Sequence, residues 1–140
     1  MIKIDNYLEA GNPEASFRTH KDALNCFGYN KGLYQRAAWT IPPDVCGALD
    51  ILGSWAVWFP KMYDNDTWKN TLSEDGTLIS QIHMDPNFTD EEKWDRRVVM
   101  ARLPNKRYQF IGLFEVIPEY RSGNELRFRR IGTRIKTYYA

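Results

Sequence analysis

Arg97-Val-Val-Met-Ala-Arg-Leu-Pro-Asn-Lys-Arg-Tyr-Gln-Phe-Ile-Gly-Leu-Phe-Glu-Val-Ile117 decides the fold. Two runs rich in β-branched and aromatic residues, Arg97 to Leu103 and Arg107 to Ile117, flank Pro104-Asn105-Lys106, a connection short enough for a hairpin. Alternation puts Tyr108, Phe110, Gly112, Phe114 and Val116 on one face of the second run and Gln109, Ile111, Leu113, Glu115 and Ile117 on the other. Both faces are largely apolar. Such a strand suits a barrel or a sheet with a helix packed on it, and Gly112 in its middle fits a bend or a close backbone approach. A third run, Glu125 to Tyr138, follows a turn at Tyr120 to Asn124, and antiparallel pairing is expected of the three.

The elements upstream build outward from this hairpin. Asn12, Pro13 and Glu14 supply a cap, a first-turn proline and a first-turn acid, and Phe17, His20, Leu24 and Phe27 recur at helical spacing until Gly28, which predicts one N-terminal helix. Leu33 to Trp39 shifts toward β, Pro42-Pro43-Asp44 enforces a turn, and Ser54 to Phe59 reads as a strand that Pro60 closes. Asp64-Asn65-Asp66 is a turn before a short strand from Thr67 to Leu72, and Glu74-Asp75-Gly76 turns into an alternating run from Thr77 to His83. Thr89 with Glu92 forms a capping box for a short second helix over Asp90 to Asp95. The sum is an α+β, mainly β chain of 140 residues forming a single domain, with its core over about residues 15–138.

Charge is divided unevenly. Residues 96–140 hold eleven Lys/Arg against three acids, a net +8, while residues 1–95 hold eight against fifteen, a net −7, so the overall +1 hides two electrostatic ends. Arg127, Arg129, Arg130, Arg134 and Lys136 are the candidate phosphate contacts, and their alternative role is a solvated strand surface that resists edge aggregation. Five tryptophans accompany this basic stretch, and Trp55, Trp58 and Trp68 with Phe59 and Pro60 form the densest aromatic group. Such rings can wall a slot for a flat base, or they can simply pack the core. Basic strands beside aromatic rings point to nucleic acid or a nucleotide as partner.

Catalytic signatures are sparse, and the reading leans away from an enzyme. His20 lies on the helical stripe and His83 near a strand end; there is no zinc-spaced Cys/His set, no His-Glu-x-x-His and no phosphate loop. No cofactor or metal is therefore expected. Cys26 and Cys46 read as reduced thiols of a cytoplasmic protein, and with no apolar run long enough to cross a bilayer, no membrane partner is expected.

The order of elements, with Trp55-Ala-Val-Trp-Phe-Pro60, Trp68-Lys-Asn-Thr71 and Tyr108-Gln-Phe-Ile-Gly-Leu-Phe-Glu-Val116 leading to Arg129-Arg-Ile131, resembles the PUA-like modules attached to bacterial restriction endonucleases, the group of SRA, EVE and ASCH domains. The resemblance implies a compact, twisted antiparallel β-barrel with flanking helices and a pocket that holds a base, often a modified cytosine, turned out of the duplex. It implies Trp39, Trp55, Trp58 and Trp68 as stackers and Asn70 as an edge reader; Tyr34 joins them as a candidate ligand contact. The chain lacks the catalytic Lys/Glu pattern of enzymatic ASCH members. Three alternatives stay open: sequestration of a free or cyclic nucleotide in phage defence or its evasion, a protein inhibitor or partner-binding role, and a small nuclease.

Overall fold

A computed structural model describes residues 7–63, 67–87, 95–120 and 124–139. The turn at Asp64 to Asp66, the capping box and all but the last residue of the second helix placed over Asp90 to Asp95, Trp94 among them, and most of the turn before Glu125 lie outside the described residues. Among the described residues there are ten strands, two α-helices and a short 3-10 helix at Pro118–Tyr120, so the chain is α+β and mainly β.

The N-terminal helix is shorter than its spacing suggests. Asn12 caps no helix; its Oδ1 accepts from Glu14 N at 3.0 Å in a local turn. After β1 (Tyr7–Glu9), Ser16–Phe17 forms a two-residue strand, β2, because Phe17 is fully buried against the sheet. Helix α1 (His20–Asn25) then begins at Thr19, whose hydroxyl accepts from Asp22 N at 3.0 Å. Pro42-Pro43-Asp44 is corrected from turn to helix start: Pro43 is pre-set for the first helical position and Asp44 faces the positive end of α2 (Pro43–Ala48). Of the 33–39 segment only Ala38 and Trp39 enter a strand, β3 (Ala38–Thr40).

The remaining strands are β4 (Trp55–Trp58), β5 (Trp68–Leu72), β6 (Leu78–His83), β7 (Arg96–Arg102), β8 (Tyr108–Val116), β9 (Glu125–Gly132) and β10 (Arg134–Lys136). The main sheet runs β3-β4-β7-β8-β9-β6-β5, with β2 paired to the start of β8, while β1 and β10 form a separate ribbon. The hairpin of β7 and β8 is antiparallel as expected, and so is β8 with β9. Two features correct the antiparallel barrel. Strands β4 and β7 pair in parallel, and the sheet is open, ending at β3 and β5. It nevertheless curls enough for Asn70 of β5 to donate through Nδ2 to the carbonyl of Lys61, just beyond β4, at 3.0 Å.

Each face of the sheet carries its own core. Leu24, Phe27, Val45, Trp55, Val57, Val98, Met100, Phe110 and Leu113 pack under the helices, whereas Trp58, Ile79, Val99, Phe114, Val116, Leu126 and Phe128 pack on the concave side. The alternation expected along β8 breaks at a bulge, where Met100 faces Phe110 but Val99 faces Gly112. Tyr108 and Phe110 therefore belong to the helix-side core, and Phe114 and Val116 to the concave one. Gly112, at φ 133°, allows the switch.

Candidate functional site

The concave face holds polar side chains among its apolar ones. Along β5, Trp68, Asn70 and Leu72 share that face, opposite His83, Gln81 and Ile79 of β6. Asn70 and Gln81 are buried, and so is Arg97, which lies 4.7 Å from the Trp58 ring centre and 4.6 Å from that of Phe128. This packing supports a desolvated cation with π-faces. Trp68 is half-buried and meets His83 edge-on at 4.5 Å. His83 is itself oriented, its Nδ1 accepting from Asp85 N at 3.0 Å.

Asn70 is the polar group most tightly specified. Its amide donates to Lys61 O, which assigns nitrogen and oxygen without ambiguity, and its buried Oδ1 has no hydrogen-bond partner. An unsatisfied buried acceptor costs about 1–3 kcal/mol. A ligand N–H arriving there would recover that energy.

The predicted aromatic residues separate into two groups. Trp55 and Trp58 do not wall one slot: three residues apart on β4, they point to opposite faces, and both are 4% exposed. The Trp55 indole N–H is already donated to Leu52 O at 2.7 Å. Trp39 and Tyr34 are partly buried on the helix side, where each meets Tyr29 edge-on and the Tyr34 hydroxyl donates to Ala38 O. Trp58, Trp68 and Asn70 share the concave face. Arg97 was not singled out from sequence; its position opposite Phe114, inside an apolar strand, was the available signal.

The basic residues near the C-terminus are also divided. Arg127 pairs with Glu125 at 2.9 Å, Arg129 with Glu115 at 2.5 Å, and Lys136 with Asp50 at 2.6 Å, while Arg134 lies 4.2 Å over the Tyr7 ring. Arg127 and Arg129 face outward, and Arg130 turns toward the concave side with Phe128. The Lys136 amine is held above its ordinary pKa by its bond to Asp50.

His20 sits in a different cluster, stacked on Phe59 at 4.0 Å and edge-on to Tyr108 at 4.6 Å. Burial, and secondarily Arg102, lower its pKa to about 4. The unfolded chain binds this proton below pH 6.5 and the folded chain only near 4, so stability falls as pH drops from 6.5 to 4. Allowing for screening of a half-exposed ring, the loss is about 1–2 kcal/mol. Thermal melts at pH 7 and pH 4.5 are expected to differ less for His20→Gln than for the native chain; equal differences would remove His20 as the cause. Asp75 titrates below this window, its carboxyl held at about 2 by hydrogen bonds from Ser73 and then Thr77. Burial raises both thiols, Cys26 to about 11, so neither is a thiolate nucleophile at neutral pH.

Among the described residues, no group of three or more His, Cys, Asp or Glu is placed to hold a metal, and no helix is long and apolar enough to cross a membrane. The profile of the SET and RING associated (SRA) domain matches residues 6–137. The fold is similar to that of the 5-hydroxymethylcytosine-specific restriction enzyme AbaSI, with a TM-score of 0.74 and 30% identity over 89% of this chain. The match spans 40% of the length of that enzyme. No curated protein matches the chain.

Proposed function

Because the chain belongs to the SET and RING associated domain family, we propose that it is a DNA reader that takes a modified cytosine out of the duplex and holds it against the concave face of its sheet. The observation that carries this reading is the fixed amide of Asn70: its nitrogen is committed to Lys61 O, so it presents an unused acceptor. Cytosine offers the complementary group, an exocyclic N4–H donor. Trp68, half-buried beside His83, is the stacking ring, on the same face of the sheet as Trp58 and Arg97. The specificity named for the restriction enzyme of similar fold supports a modified cytosine as guest.

Extruding the base costs a few kcal/mol, which stacking and phosphate contacts offset. The test is a titration against matched duplexes carrying cytosine, 5-methylcytosine or 5-hydroxymethylcytosine at one position. Preference for a modified duplex is expected, with affinity falling steeply between 50 and 200 mM salt. Asn70→Ala is expected to lose about tenfold in affinity for the preferred duplex while its melting temperature stays close to native. Equal binding of all three duplexes by the native chain would end the reading.

A further inference from the structure

We infer that Arg130 anchors one backbone phosphate of the bound DNA strand in a groove separate from the base site; this rests on the DNA-reading function proposed above. The groove has a volume of about 310 Å³ and is lined by Ala10, Gly11, Leu72, Gly76 and Ile111 around Arg130, with no carboxylate among its described lining residues.

Two glycines shape the arginine's seat. A Cβ at Gly112 would stand 2.6 Å from Arg130 Cδ, so the aliphatic stem lies flat on bare backbone there. A Cβ at Gly76 would stand 3.3 Å from Nη1, which puts the guanidinium beside the β5–β6 turn. Both glycines have positive φ, 133° and 76°. A side chain confined in this way loses little further entropy on gripping a ligand.

Charge singles out the same residue. Arg127, Arg129 and Lys136 each have a carboxylate partner and Arg134 has an aromatic one. Arg130 makes no hydrogen bond or ion pair through its side chain to any described residue, although it is only partly exposed. A guanidinium held among uncharged walls favours an anion with oxygens in its plane, and phosphate supplies them.

Position makes that phosphate part of a DNA strand. Arg130 follows Leu126 and Phe128 along the concave face of β9, and Leu126 pairs with Gln81, which pairs with Asn70. Two strands across and four residues along, Arg130 lies about 16 Å from Asn70. That is within half a helical turn of DNA, a full turn being about 34 Å. Arg130 therefore fixes which stretch of backbone lies beside the base site.

Anisotropy titrations of the full chain with the preferred modified duplex, at several salt concentrations, test the inference. Arg130→Ala is expected to lose about tenfold in affinity for modified and unmodified duplexes alike, and its log K against log salt slope should fall by about 1. Arg127→Ala and Arg129→Ala should each change the slope less. Methylphosphonate substituted one position at a time should weaken the native chain at one particular phosphate and leave Arg130→Ala indifferent there. An unchanged slope for Arg130→Ala, with the native chain still preferring the modified duplex, overturns the anchor alone. Absence of DNA binding by the native chain overturns both the anchor and the function it rests on. A melting temperature raised by inorganic phosphate in the native chain but not in Arg130→Ala would make the groove a free-anion site and also overturn it.

Discussion

Trp58→Ala is expected to destabilise the chain by about 4–5 kcal/mol, the upper range for deleting a buried aromatic side chain. The indole is 4% exposed within the concave core and lies 5.2 Å from Phe128, centre to centre. Its removal leaves a cavity and also strips one π-face from the buried guanidinium of Arg97. Trp58→Phe keeps an aromatic ring beside that cation and is expected to cost less than half as much. Urea denaturation measures both: the midpoint should fall in the order native, Phe, Ala at an unchanged slope. A loss below about 1.5 kcal/mol for Trp58→Ala would show that this side chain does not hold the concave core together. A Trp58→Ala chain that binds no DNA has lost a base contact only if the same melts find it folded.

Gly112→Ala is expected to cost about 2–4 kcal/mol despite adding a single methyl group. Three effects combine at this position. The φ of 133° is strained for any L side chain, the new Cβ would lie 2.8 Å from the carbonyl oxygen of Gly132, and it would meet the Arg130 stem at 2.6 Å. The arginine can move, but the carbonyl belongs to a paired strand. Gly132→Ala is the informative comparison, because the atoms nearest its Cβ belong to the Leu113 side chain, from 3.0 Å, and not to backbone, and it should cost under about 1 kcal/mol. Equal losses for the two variants would show that the strain is not concentrated at Gly112.

The strands were legible in the sequence because their signal is local. Six of them, β4 to β9, start within one residue of where aromatic and β-branched runs put them. The helices were not, because Phe17, His20, Leu24 and Phe27 have helical spacing while Phe17 in fact pairs with Tyr108 across the sheet, a long-range choice that spacing cannot express. Likewise Gly112 announced a bend, but its consequence, moving Phe114 and Val116 to the opposite core from Phe110, depends on the register against β7. The charges gave the composition of the basic tail without its pairing: Glu115 and Asp50, which engage Arg129 and Lys136, are remote in sequence. Of the candidate site, Asn70 and Trp68 were identifiable as residues, whereas the separation of Trp55 from Trp58 required only their odd spacing to be followed along the strand.

The bond from Asn70 to Lys61 O reaches from the β5 edge of the open sheet to the segment just past β4. That bond is a single neutral hydrogen bond, on the order of 1 kcal/mol, whereas β5 and β6 beside it are paired at five positions. Under the proposed function, a guest would meet at this edge a side chain whose nitrogen is already occupied and whose oxygen is open, with the strand pairing of β5 and β6 left whole.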